Sequence, residues 1–153
     1  LRALARPAPR AWGAEPRDDA GQLQANRVQP GKRPRSSMSP SIVLDRQGRF
    51  VVAVGSPGGN SIIAYNGKAL VGWIDWGLTM QEAVALPNLV ARGDNYSADT
   101  EMFAPGVVAG LAERGVALKV GRGENSGLHG VGVRNGRLEG GADPRREGVA
   151  KAP

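Results

Sequence analysis

Residues 30–61, PGKRPRSSMSPSIVLDRQGRFVVAVGSPGGNS, decide the fold. Ser41 to Leu44 and Phe50 to Val54 are runs rich in β-branched and apolar residues, and Asp45-Arg46-Gln47-Gly48-Arg49 between them has tight-turn composition, so the two runs are expected to pair as an antiparallel hairpin. A hairpin returns the end of its second strand to the start of its first. Ser36 and Ser37 precede the first strand and Ser56-Pro57-Gly58-Gly59 follow the second, so the hydroxyls and the glycine turn are expected to meet in space.

Beyond the glycines the period changes. Ile62, Ile63, Asn66, Ala69, Leu70, Trp73 and Ile74 recur at helical spacing, which predicts a helix from about Gly59 to Trp76. Trp73 and Trp76 are read as core packing. Gly67 and Gly72 each cost about 1 kcal/mol relative to Ala, tolerable where the helix packs closely. The Gly58 and Gly59 amides then stand near a helix N-terminus, where unpaired donors and the positive end of the dipole favour an anion or a developing oxyanion. A glycine pair between strand and helix is more often a plain structural turn, and S-S-x-S-P more often a capped one.

Taken together, KRPRSSMSPSIV from Lys32, GSPGGNSII from Gly55 and DPRREG from Asp143 resemble the C-terminal part of the small subunit of γ-glutamyltranspeptidases (glutathione hydrolases), over roughly Asn26 to Val149. The resemblance implies an N-terminal nucleophile hydrolase fold, an αββα sandwich of which this chain encodes part. It implies that Ser36 and Ser37, with Met38 beside them, bind the α-carboxylate of a γ-glutamyl substrate, and that Gly58 and Gly59 form the oxyanion hole. It also implies a periplasmic or extracellular location and a complementary N-terminal or large-subunit chain. Related acylases acting on glutaryl side chains share these motifs.

Departures from the family pattern are equally specific. The family's nucleophile is a threonine whose own α-amino group serves as base, whereas this chain begins Leu1-Arg2-Ala3 and has two threonines, Thr79 and Thr100. Thr79 opens T-M-Q-E before an apolar run, a capping box with Glu82, and Thr100 falls in a polar stretch, so the reading is that the chain supplies no nucleophile. The family's acidic segment for the substrate amine is not recognisable; Asp18-Asp19 lacks its flanking residues. The absence of a signal-peptide apolar region and of an initiating methionine suggests a processed product or fragment.

Composition narrows the alternatives. The 153 residues suffice for one domain with a core, and 23 glycines with few aromatics suit strands and turns. Of the net charge of +6, residues 1–35 carry eight basic against three acidic side chains, leaving the rest nearly neutral. The basicity belongs to a lead rather than to a nucleic-acid-binding face, and no nucleic-acid-binding motif accompanies it. No cysteine is present and His129 is the single histidine, so thiolate and His-rich metal sites are excluded and no cofactor is expected. His129 falls in a predicted strand and is read as structural. No apolar run is long enough to span a membrane.

Residues 1–29 read as an extended or disordered lead and 30–153 as the domain. A second helix is expected from Met80 to Leu86, a short strand at Asn88 to Ala91, a polar loop from Arg92 to Thr100, and a helix from Glu101 to Arg114 with Pro105 in its first turn. Strands follow at Val116 to Val120, Leu128 to Val133 and Leu138 to Ala142, with a loop from Gly121 to Gly127 and an Asn135-Gly136 hairpin turn. Arg145 and Arg146 are read as forming structural ion pairs. The order predicts an α+β chain, with a largely antiparallel sheet covered by helices on one face. Its other face should lie bare and apolar, making the isolated chain poorly soluble or dependent on a complementary chain. A non-catalytic anion-binding or interaction module is the alternative function.

Overall fold

A computed structural model of the chain describes residues 17–33, 35–104, 106–120 and 125–151. It divides into two units, Leu1–Ser36 and Ser37–Pro153. In the first, Arg17 and Leu23 form an isolated antiparallel bridge around a turn whose Asp18 carboxylate accepts from the Ala20 and Gln22 amides at 3.0 and 2.9 Å. Lys32 Nζ donates to the Ala25 carbonyl at 2.7 Å. Leu1 to Pro16, within the expected lead, lie outside the described residues.

The second unit begins with β1 (Ser41–Leu44) and β2 (Phe50–Gly55), paired antiparallel as the sequence predicts, with a register irregularity between Val43 and Leu44. Their turn is held by Asp45, which accepts from the Gln47 and Arg49 amides at 2.9 Å and from Arg49 Nε at 2.7 Å. β6 (His129–Arg134) and β7 (Arg137–Ala142) complete an antiparallel sheet in the order β1-β2-β6-β7. Asn135 at φ 51° and Gly136 at φ 73° form the expected two-residue turn.

The expected first helix is shorter and in two parts. A 3-10 turn, Gly59–Ser61, leads into α1 (Ile62–Ile74), which buries Ile62, Tyr65, Asn66, Ala69, Gly72 and Trp73 on one face. Trp76 lies beyond its end and is 63% exposed, so only Trp73 of the tryptophan pair packs in the core. Gly77, at φ 67°, turns the chain away there, and Arg134 takes up the terminal carbonyls of Trp73, Gly77 and Leu78 at 2.7 to 3.0 Å with its guanidinium 4.0 Å from the Trp73 ring centroid. α2 (Met80–Ala85) has the capping box read from the sequence, Thr79 and Glu82 exchanging both bonds.

Both helices cover one face of the sheet. Register places Val54, Gly130 and Gly141 in one inward row and Val52, Gly132 and Glu139 in the next. Met80 occupies the space that a Gly130 side chain would fill, and a Cβ on Gly132 would come 2.6 Å from the Trp73 ring. The core is built there, from Val52, Val54, Tyr65, Ala69, Trp73, Met80, Ala83, Val84, Val90 and Leu128.

Three expectations for the middle of the chain need correction. Residues 92–100 are not loop throughout: β3 (Leu89–Arg92) and β4 (Asn95–Ala98) pair through the two-residue turn Gly93-Asp94. β4 pairs parallel with β5 (Leu118–Val120), making a separate three-stranded sheet and the one parallel pair among the described strands. The expected helix over 101–114 is a 3-10 turn, Thr100–Met102, and α3 (Val107–Glu113), separated at an extended Phe103. Proline disfavours helical geometry in the residue before it, here Ala104, which splits the pattern. Pro105 itself and residues 121–124 lie outside the described residues.

The opposite face of the four-stranded sheet is apolar and, apart from residues 148–151 packed against His129 and Gly140, uncovered as expected. Ile42, Ala53, Val131 and Gly140 form one row across it; Ile42 is 71% exposed and Leu138 70%. An open groove of about 620 Å³ runs over it, with Val149 to Lys151 along one wall.

The two helical glycines predict opposite outcomes. Gly67 has open space around its Cα, whereas a Cβ on Gly72 would meet Leu86 at 3.0 Å and Ala83 at 3.2 Å. Gly67→Ala is expected to raise stability by about 0.5–1 kcal/mol and Gly72→Ala to lower it, both read from urea unfolding midpoints.

Candidate functional site

The site is built where β2 gives way to α1. Gly58, at φ 135°, precedes the 3-10 turn, and Gly59 enters it at φ 51°. Both conformations suit glycine. At Gly58 the requirement is also steric: a Cβ would lie 2.5 Å from Tyr65 Cε2, so the ring of the next helical turn closes the space beneath the loop. The Ser61 N–H donates to the Gly58 carbonyl at 2.9 Å. The N–H groups at the start of a helical segment have no intrahelical acceptor and are available to a ligand.

Ser37 Oγ donates to the Gly59 carbonyl at 2.8 Å. Hairpin closure thus brings one hydroxyl of the serine pair to the glycine turn. Ser39 is fastened to α1, with Asn66 Nδ2 donating to its carbonyl at 2.5 Å and lying 3.3 Å from its hydroxyl. Met38, between them, is exposed. Ser36 ends the first unit and is exposed.

Tyr65 and Asn66 are contributions that the sequence reading missed. Asn66 counted there as one position in a helical pattern, and nothing in that pattern singles out a residue that holds a neighbouring strand. The other candidates are structural. The Thr79 hydroxyl is engaged with Glu82, and Thr100 opens a 3-10 turn. His129, at the start of β6, has its Nδ1 3.0 Å from the Gly127 carbonyl. Among the described residues no cluster of His, Cys, Asp and Glu could hold a metal ion.

A buried polar hub lies behind the site. Asp143 accepts from Ser126 Oγ at 2.5 Å and the Leu128 amide at 3.2 Å through one oxygen, and from the Arg145 guanidinium and amide at 2.9 and 3.0 Å through the other. Arg145 also pairs with Asp99 at 3.0 Å, so its expected structural ion pairs are present. Arg146 instead donates to the Asn125 carbonyl at 3.0 Å. Asn88 joins Ser126 to Lys68, whose ammonium further reaches the Leu86 carbonyl at 2.6 Å. Burial, reinforced by Arg145, lowers the Lys68 pKa to about 8. Its partners make this amine an anchor for the C-terminal end of α2, although it also borders an apolar cleft of about 380 Å³ with Trp76 and Phe103.

Burial alone would raise the pKa of Asp143, but the hydrogen bonds from Ser126, Arg145 and Leu128 outweigh it and hold the carboxyl below its ordinary value. A lowered carboxyl pKa stabilises the fold above the unfolded-state value of about 3.9, and this contribution is lost as pH falls through the folded value. Asp143→Asn is therefore expected to lower the unfolding free energy at pH 7 and flatten its decline below pH about 4, as measured by urea unfolding across pH. An unchanged acid limb would show that Asp143 is not its source.

A family model described as gamma-glutamyltranspeptidase matches residues 11–152. A glutathione hydrolase proenzyme from Escherichia coli K12 is 39% identical over 124 residues, covering 79% of this chain and 21% of that protein. An oxamate amidohydrolase proenzyme from Klebsiella pneumoniae is 34% identical over 130 residues, covering 79% of this chain and 24% of that protein. The chain spans less than a quarter of the length of these curated relatives. Among solved structures, a gamma-glutamyltranspeptidase from Pseudomonas nitroreducens, the highly active W525D mutant, superposes with a TM-score of 0.72 at 32% identity, covering 90% of this chain and 73% of that one.

Proposed function

Since this chain belongs to the gamma-glutamyltranspeptidase family, we propose that it supplies the substrate pocket and oxyanion hole for γ-glutamyl transfer or hydrolysis, acting on glutathione and related γ-glutamyl amides. The observation that carries this reading is the 2.8 Å bond from Ser37 to the Gly59 carbonyl, which joins the two motifs the chemistry needs. Ser36 and Ser37, with Met38, hold the α-carboxylate, the single Ser37 hydroxyl proton turning from the Gly59 carbonyl to the carboxylate when substrate binds. Gly58 and Gly59 direct their N–H groups at the γ-carbonyl oxygen.

A hydroxyl nucleophile adds to that carbonyl, and negative charge moves onto the oxygen. The amides stabilise this charge more than they stabilise the neutral ground state, which lowers the barrier. Collapse expels the amine, which takes up the proton given up by the attacking hydroxyl, and the resulting acyl ester passes its γ-glutamyl group to water or to an acceptor amine. With Thr79 engaged in a helix cap and Thr100 opening a 3-10 turn, the nucleophile comes from outside these 153 residues, on a complementary N-terminal segment or chain. That chain also covers the apolar sheet face bearing Ile42 and Val131.

The compartment is periplasmic or extracellular, as for the family; no helix among the described residues is long and apolar enough to cross a membrane. The name of the Klebsiella relative favours a second reading within the same chemistry, hydrolysis of a small carboxylate-bearing amide.

Incubation with a chromogenic γ-glutamyl anilide is the test. The chain alone is expected to give no turnover, and the chain joined by its complementary chain to turn the anilide over. Ser37→Ala should raise KM by about 10- to 100-fold, the equivalent of one hydrogen bond to a charged group. Turnover by the isolated chain, or an unchanged KM in the variant, contradicts the proposal. Carboxylate binding that disappears on deletion of residues 1–29 would favour an electrostatic interaction module instead.

A further inference from the structure

The glycine turn rests on a segment far from it in sequence. The Gly127 N–H donates to Ser56 Oγ at 3.1 Å across 71 residues, and Ser56 Oγ lies 2.6 Å from the Pro57 carbonyl. Gly127 is itself wedged: a Cβ there would lie 2.8 Å from Pro57 Cγ and 2.6 Å from Arg146 Cδ. Residues on both sides of it are fixed by one carboxylate, since Asp143 Oδ2 accepts from Ser126 Oγ and from the Leu128 amide. Arg146 ties the Asn125 carbonyl to the same segment.

We propose that Gly127, clamped by Asp143 through its two neighbours, is the seat of the oxyanion turn, and that Gly127 and Ser56 are positioning residues setting the direction of the Gly58 and Gly59 amides. Neither touches substrate. Their action runs through Pro57, which is caught between the Gly127 backbone and the first glycine. Stabilisation by backbone donors depends on where they point, and a displacement of about 1 Å at a catalytic group can cost about 100-fold in rate. Without the seat, the 3-10 bond, the Ser37 hydroxyl and the Tyr65 ring hold the turn from Gly58 onward and leave its Pro57 end unsupported. The catalytic importance of the seat rests on the oxyanion-hole reading above; its geometry does not.

The test separates the two. Amide NMR spectra of Gly127→Ala, recorded on the chain joined by its complementary chain, are expected to show displaced Gly58 and Gly59 resonances, because the new Cβ cannot fit against Pro57 unless the two segments shift apart, while those of the distant Asn135-Gly136 turn stay in place. Ser56→Ala, which removes a hydroxyl from a partly exposed turn and leaves the core intact, should displace them too, with Ser56→Thr restoring them. In the chain joined by its complementary chain, kcat for the γ-glutamyl anilide should fall about 10- to 100-fold in both displaced variants, with KM changed less than about twofold. Unmoved Gly58 and Gly59 resonances in both Gly127→Ala and Ser56→Ala overturn the proposal. Displaced resonances with kcat unchanged uphold the seat and remove the oxyanion role from the turn.

Discussion

The close approach of α1 and α2 to the sheet is the constraint on which the rest depends. It is possible because three inward positions on β6 and β7 carry no side chain: Gly130 makes room for Met80, Gly132 for the Trp73 ring and Gly141 for the Met80 backbone, where a Cβ would lie 2.7 Å from its carbonyl oxygen. Helices seated this deeply bury Met80, Ala83 and Val84 completely, and loss of a buried Met side chain costs about 2–5 kcal/mol. The seating also fixes where α1 begins. The glycine turn joining β2 to α1 is therefore held at both ends by the core, and Tyr65, one helical turn on, closes its underside.

The elements that the sequence revealed most clearly are those with local causes. The β1-β2 hairpin, the Thr79-Glu82 capping box and the Asn135-Gly136 turn each follow from residues a few positions apart, and so does the meeting of Ser37 with Gly59, a consequence of hairpin closure. β4 was hidden because Asn95-Tyr96-Ser97-Ala98 alternates over only four residues, with two apolar positions and no β-branched side chain; its pairing with β3 and β5 makes it a strand. Trp76 fits the helical period but lies past the point where the chain turns away. The Gly127 seat and the Asp143 hub join residues distant in sequence, and no spacing rule reports such contacts.

Stability and site geometry share one polar network. Asp143 holds Ser126 and Leu128 with one oxygen and Arg145 with the other, and Arg145 carries the connection to Asp99 in the loop after β4. A buried ion pair is weak support for stability taken alone, but removing one partner leaves the other charge uncompensated. The D-P-R-R segment near the end of the chain thereby joins the two sheets and braces the site from behind. In contrast, the outer sheet face has no such support: Ile42, Leu44, Val131 and Leu138 are exposed side chains of a kind that a folded domain normally covers.

The central claim is that the Gly58 and Gly59 amides receive the charge that develops in the reaction. A crystal structure of the chain joined by its complementary chain, after reaction with a boronic acid analogue of the γ-glutamyl group, tests it most directly. The account predicts a tetrahedral boronate with one oxygen about 2.7–3.1 Å from both amide nitrogens. A boronate oxygen turned away from this turn, held by other donors or by solvent, would contradict it.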